Sequence, residues 1–345
     1  MKLRRIHNRP AGLVPALVAV AVVAAACGGD SGSASQLEGE IVASGSSTVE
    51  PITSLVAQKF SQQNPGVRIE VNGPGTGDGF ELFCAGKIDI SDASRAIEPE
   101  EIRDCEKEGI EFVELEVGID GITVMTGPDN EQIDCLDFYD LYALLGPESE
   151  GFRQWSDADD LGREIGASHA PYPDAPLDIT APGEESGTYD SFGEIVLEDI
   201  AYEERGVAED APVIRKDYQS SPNDNVIIRG VAGTDSSLGW VGFSYYVQNE
   251  GSVKAIPIAE EGDDCVEPTT ETIQDGSYPL SRDLFFYVNR QRAEDDEALR
   301  AFVDYYLSEE GLASVAEAGY VDQPRDEIEA TRKAWETMEA GTRED

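Results

Sequence analysis

Histidine is nearly absent from this chain, with two in 345 residues, of which only His169 lies beyond the first few positions. There is no C-x-x-C pair, no H-E-x-x-H and no G-x-S-x-G, so a zinc site and a recognisable Ser-His-Asp triad both lack their parts. Basic residues are scarce as well. With 25 Lys and Arg against 70 Asp and Glu, the formal net charge is −45, which argues against nucleic acid or an anionic membrane surface as a partner. An acidic excess of this size suits a solvated surface in a salt-rich habitat, where screening limits self-repulsion. Beyond the N-terminal segment no apolar run approaches the length needed to span a bilayer.

Cysteine is sparse, and its placement is informative. Lys2, Arg4 and Arg5 precede an apolar stretch from Ala11 to Ala26, the layout of a secretory signal. Cys27, following Ala24-Ala25-Ala26 and preceding Gly28-Gly29-Asp30, resembles the bacterial lipoprotein processing site, in which that cysteine becomes the lipidated first residue; Ala24 stands where Leu is usual. The expectation is a signal peptide over 1–26 and a lipidated Cys27 with a flexible tether over 27–39. The body is then an extracytoplasmic monomer, held by lipid alone on the outer face of the membrane, or a periplasmic protein. Cys84, Cys105, Cys135 and Cys265 remain, an even number in an oxidising compartment. Of the three pairings, Cys84 with Cys105 and Cys135 with Cys265 is favoured, because a bridge between lobes would obstruct a hinge.

What the chain does contain is hydroxyl and glycine at helix starts. Gly45-Ser46-Ser47-Thr48-Val49-Glu50-Pro51-Ile52 turns from a buried strand (Ile41, Val42) into a helix. Gly75-Thr76-Gly77-Asp78-Gly79 precedes Phe80, Leu82 and Phe83, and Glu185-Ser186-Gly187-Thr188-Tyr189 precedes Phe192, Ile195, Val196 and Leu197. Ser and Thr are ordinary N-caps and Gly is ordinary turn punctuation, so each alone reads as capping. Three together suggest one convergent site, because free helix-start amides and the helix dipole cradle an oxyanion.

Periodicity organises the rest. Strand Ile41 to Ala43, a helix through Ile52, Leu55, Val56 and Phe60, and alternating Val67, Ile69 and Val71 are followed by a helix from Phe80. Then come a short strand Ile88-Asp89-Ile90 and a helix from Pro99 that ends near Gly109. That order is α/β, with helices flanking a mostly parallel sheet in each lobe. The strand-rich Val117 to Met125 and the stretch from Tyr278 to Val288 read as two crossings of a hinge. The expected lobes are 40–126 plus 281–324, and 127–280, with 325–345 a peripheral charged helix or tail.

These motifs, with Asp89-Ile90-Ser91-Asp92-Ala93-Ser94-Arg95, Asp224-Asn225-Val226, Gly239-Trp240-Val241-Gly242 and Tyr278-Pro279-Leu280-Ser281-Arg282, stand in the order found in PstS-type phosphate-binding proteins of ABC importers. The chain resembles that family over nearly all of residues 40–322, in the branch with an Ala-Ser-Arg signature and cysteines at similar places. The resemblance implies a two-lobed type II periplasmic-binding-protein fold, capture of inorganic phosphate, and delivery to a membrane permease, with no cofactor and no metal. It carries over Ser47 and Thr48 as the first phosphate-contacting turn, Thr76 as the second, and Ser186, Gly187 and Thr188 as the turn from lobe two. Ser46, Gly77 and Ser94 are secondary candidates.

A desolvated phosphate also needs charge, and a guanidinium fork matches its oxygens. Arg95 is the expected source, against the alternative of a surface ion pair with Glu98 or Glu100. In the better-known branch an aspartate occupies the place of Arg95, and an arginine occupies that of Pro182. Rejecting sulfate requires an acceptor for the proton of hydrogen phosphate, with Asp92, Asp120 and Asp190 as candidates. Other tetrahedral oxyanions such as sulfate, molybdate or tungstate, an extracellular phosphatase, and a phosphate sensor remain as alternatives at this stage.

Overall fold

β1 (Gly39–Gly45) is the strand around which the first half of the chain is built. In the computed structural model, which describes residues 37–343 apart from 185, 209, 210, 261 and 263, it pairs in parallel with both β2 (Val67–Asn72) and β3 (Ile90–Ala93). The expected signal segment and Cys27 lie outside the described residues. Parallel neighbours need crossovers, supplied by α1 (Glu50–Gln63) and α2 (Thr76–Cys84). The period-two alternation of β1 sends Ile41 and Ala43 toward Val56 and Phe60 of α1, and Val42 toward Phe80 and Phe83 of α2. One helix therefore covers each face.

Two boundaries differ from the sequence reading. α2 begins at Thr76, a turn before Phe80, because Gly75 with φ +123° turns the chain sharply out of its extended path. Gly79 is needed there, since a Cβ would lie 2.5 Å from Gly45 Cα. β3 is Ile90–Ala93 and not Ile88 to Ile90. The Asp89 side chain accepts from Val42 N at 2.8 Å, and ladder pairing begins at Ile90 with Ala43. The strand then runs through Ser91 and Asp92, which an apolar pattern does not reveal.

After α3 (Pro99–Glu108), closed by Gly109 in the left-handed region, β4 (Phe112–Thr126) forms the first long crossing. Its early residues pair antiparallel with the return strand Ser281–Asn289, and Ile122 to Thr126 pair with the strand Leu238–Gly242. The return strand also lies antiparallel against β3, so the strand order is β2, β1, β3, return strand, β4, then Leu238–Gly242. One apolar core gathers Phe60, Phe286, Phe302, Tyr306 and Trp335 around β1 and β4. A separate one gathers Leu141, Trp155, Phe192, Trp240 and Tyr278 beyond the crossings.

The helix Arg325–Thr337 is not peripheral, as its acidic sequence suggests. Trp335 is buried in the first core and Thr331 Oγ1 donates to the Glu116 carbonyl of β4. Cys84 is bonded to Cys105, tying α2 to α3, and Cys135 to Cys265. Among the described residues no helix is long and apolar enough to cross a membrane.

Candidate functional site

Strand ends bring the hydroxyl turns together where the two crossings meet. Leaving β1, the chain is turned by Ser46, whose N–H donates to the Asp92 carbonyl at 2.8 Å and whose Oγ accepts from Thr48 N at 3.1 Å. Ser46 is thus an internal cap, whereas the side chains of Ser47 and Thr48 reach beyond their own turn. Ser47 Oγ donates to Asp190 Oδ2 at 2.6 Å, and Thr48 Oγ1 lies 2.9 Å from Ser191 Oγ. Asp190 and Ser191 belong to the short helix Gly187–Phe192, so the first turn already touches the segment expected from lobe two. Gly187 permits that approach, because a Cβ there would sit 3.0 Å from the Ser47 carbonyl oxygen. Ser186 and Thr188 flank it half-buried, and the Ser186 carbonyl accepts from Tyr189 N and Asp190 N. A cleft of about 320 Å³ opens beside this contact, lined by Ser47, Gly75, Tyr189, Asp190, Glu194 and Glu198, among others.

The second turn adds Thr76, whose Oγ1 accepts from Ser94 N at 3.2 Å and lies 3.0 Å from Ser94 Oγ. Thr76 and Ser94 are therefore partnered with each other. Gly77 has open space where a side chain would stand.

The charged groups sort differently from the sequence expectation. Arg95 turns away from the hydroxyls and forks onto Glu101, with Nη1 and Nη2 at 2.9 and 2.8 Å from its two carboxylate oxygens and Nε 3.5 Å from Glu98. Its guanidinium also lies over the Phe80 ring at 5.6 Å. The arginine that reaches the turns is Arg282 on the return strand. Its Nη2 donates to Ser191 Oγ at 2.8 Å and to Thr48 Oγ1 at 3.3 Å, and its Nη1 donates to Glu194 Oε2 at 2.5 Å. In the sequence Arg282 stands within the Tyr278-Pro279-Leu280-Ser281-Arg282 motif with no mark of a role of its own. The available signal was its place on the hinge crossing, directly before an apolar strand.

The three candidate aspartates also separate. Asp92 is fully buried and accepts from Thr53 Oγ1 at 2.9 Å, facing α1 rather than the turns; burial pushes its pKa up to about 7, opposed by Thr53 and reinforced by Glu50. Asp120 lies opposite Arg282 in the strand register, 3.8 Å from its Nε, with both carboxylate oxygens buried and without a hydrogen-bond partner. Burial raises its pKa, Arg282 and the nearby Ser191 hydroxyl oppose the rise, and Glu194 adds to it. Asp190 is the aspartate directly bonded to a hydroxyl turn. Its pKa is raised chiefly by burial, with Ser47 and Arg282 pulling it down and Glu194 pushing it up.

Asp137, Asp140 and His169 lie close enough to share a metal ion, but all four carboxylate oxygens already accept hydrogen bonds, from Asp140 N, Ser168 N, Asp137 N and the His169 and Tyr172 donors. The arrangement locks a loop onto the start of the helix Phe138–Leu145.

Comparison with known proteins adds to this geometry. The PBP superfamily domain matches residues 30–310. Protein SphX of Synechocystis sp. is 36% identical over 310 residues, covering 89% of this chain and 85% of that protein. The phosphate-binding protein PstS of Staphylococcus aureus is 34% identical over 303 residues, covering 87% and 84%. Among solved structures, a possible phosphate binding protein from Planctomyces limnophilus superposes with a TM-score of 0.78 at 33% identity, covering 87% of this chain and 99% of that one. With a two-lobed α/β fold, hydroxyl turns meeting at the crossings and relatives of this identity and coverage, the chain belongs to the PBP superfamily and, within it, to the PstS-type family of phosphate-binding proteins.

Proposed function

We propose that this protein captures inorganic phosphate in the cleft between its lobes and delivers it to an ABC permease for import. The observation that carries the proposal is the meeting of the Ser47–Thr48 turn with Asp190 and Ser191 around Arg282. Hydroxyls supply donors, and the guanidinium supplies the charge that a desolvated dianion requires. The names of the relatives in Staphylococcus aureus and Planctomyces limnophilus support the same ligand.

Asp190 is the acceptor for the proton of hydrogen phosphate in this reading. It faces Ser47, whereas Asp92 faces Thr53 and Asp120 faces Arg282. An ionised carboxylate welcomes a ligand that can donate a proton and repels sulfate, which has none. Thr76, Ser94, Ser186, Gly187 and Thr188 complete the lining as the lobes close. In this scheme phosphate is bound and released unchanged, with Ser47 and Asp190 acting as ligand contacts. Lobes over 40–126 plus 281–324 and over 127–280 close as two bodies on the crossings, in a monomer held by lipid at Cys27.

Calorimetric titration of the phosphate-stripped protein and of Asp190→Asn, with phosphate, sulfate and molybdate, tests the reading. Tight phosphate binding with sulfate excluded, and that exclusion relaxed by about tenfold or more in Asp190→Asn, is expected. Sulfate or molybdate bound as well as phosphate by the unaltered protein would replace phosphate with a general oxyanion receptor.

A further inference from the structure

Arg282 is crowded by anions of the protein's own. Nη1 is taken by Glu194 Oε2 at 2.5 Å, Nε faces Asp120 at 3.8 Å, and the charges of Asp190 and Glu198 are also within reach of the guanidinium. We propose that Glu194 is an internal competitor for the bound oxyanion: a tethered carboxylate that occupies Arg282 until phosphate takes its place, and so sets the affinity of the cleft.

The inference rests on the phosphate reading and on four observations. First, a carboxylate oxygen accepting from a guanidinium is the chemical equivalent of a phosphate oxygen doing so, and both want the same donor. Second, the Nη2 group of the same guanidinium is bonded only to the neutral hydroxyls of Ser191 and Thr48, so Glu194 is the one anionic group hydrogen-bonded to Arg282 among the described residues. Third, Glu194 can leave. Its side chain is 39% exposed against 17% for Arg282, and it lines the cleft mouth, so release strands no buried charge. Fourth, the backbone changes character there. Gly187–Phe192 is α-helical and Gly193–Leu197 is π-helical, the wider turn that sets Glu194 beside Asp190 and Ser191 at the cleft.

Binding then becomes an exchange of one anion for another at Arg282. Free energy spent on expelling Glu194 is subtracted from the affinity, as for any site whose competent state is only partly populated. Glu198, one turn further along, lines the same cleft without a hydrogen bond to Arg282.

Phosphate titrations of the unaltered protein, Glu194→Gln and Glu198→Gln test this. Glu194→Gln keeps the side-chain size and removes the competing charge, and is expected to bind inorganic phosphate about five- to tenfold more tightly. Glu198→Gln removes one charge from the same cleft without freeing a hydrogen-bonding group of Arg282, and is expected to gain clearly less than Glu194→Gln, about twofold at most. A merely structural role for Glu194 would weaken binding on substitution, so the gain is the discriminating readout. Equal gains in both variants would reduce the effect to bulk charge and overturn the proposal. Weaker binding by Glu194→Gln, with the unaltered protein binding phosphate well, would also overturn it and leave the phosphate reading intact. Failure of all three proteins to bind phosphate would overturn both.

Discussion

At the end of β3, Asp92 and Arg95 lie three positions apart on one strand and the loop that follows it; at the hinge, Asp120 and Arg282 face each other across two paired strands. Each region offers one carboxylate and one guanidinium within reach of the same hydroxyl turns. In the first region both charges turn away from those turns. Asp92, in mid-strand, points into the helix-covered face toward Thr53, and Arg95 swings outward to the start of α3 and Glu101. At the hinge, the antiparallel pairing places Arg282 where its guanidinium spans Thr48 from the first turn and Ser191 and Glu194 from the helix beyond. Charge near a cleft in sequence is therefore a poor guide to charge in the cleft. Direction is decided by the face of the strand and by what packs against that face.

The largest expected effect breaks the hinge side. Arg282→Ala should weaken phosphate binding by roughly 100-fold or more, since it removes the guanidinium shared by both lobes' hydroxyls and leaves Asp120 buried without its counter-charge. Calorimetry reads the loss, and a change of only a few fold would return the role to another cation.

Asp92 sharpens the comparison through stability. Its folded-state pKa of about 7 lies above the model-peptide value of 3.8. Between those values the folded protein holds a proton that the unfolded chain has released. Its contribution is present in full below about pH 4, declines as pH rises to about 7, and is flat above that. Asp92→Asn, which keeps an acceptor for Thr53, should remove a pH-dependent loss on the order of 4 kcal/mol. Urea unfolding across that range checks it. A pH dependence identical to that of the unaltered protein would show that Asp92 ionises freely. Phosphate affinity should hardly change.

The smallest effect belongs to Arg95→Ala. An ion pair this exposed contributes under about 1 kcal/mol to stability, and phosphate affinity should change by less than about threefold. A loss comparable to that of Arg282→Ala would mean that Arg95 leaves Glu101 to enter the cleft on binding, and would erase the distinction between the two regions.

Much of the fold was legible because its signals are local. Alternation in β1 and β2, the Pro99 start and Gly109 stop of α3, and the apolar spacing of α1 each depend on near neighbours. β3 was misplaced because Ser91 and Asp92 are polar yet fully buried, a pattern that only a supporting Thr53 and a sheet covered on both sides make tolerable. The C-terminal helix reads as peripheral because the few residues it buries, Thr331, Ala334 and Trp335, sit amid charge. At the site, the hydroxyl turns were readable as turns, but Ser46 proved to be a cap and Thr76 a partner of Ser94.

By itself, the sequence determined the α/β alternation, the three hydroxyl-and-glycine helix starts, the even set of cysteines beyond Cys27, and the scarcity of histidine. These follow from residue type and short-range spacing. Only the tertiary structure decided which arginine meets the hydroxyls, which aspartate bonds to Ser47, and that Glu194 shares Arg282 with Thr48 and Ser191. Those outcomes depend on strands distant in the chain pairing in one register, and a shift of one residue in the return strand would send Arg282 to the opposite face, away from Thr48 and Ser191.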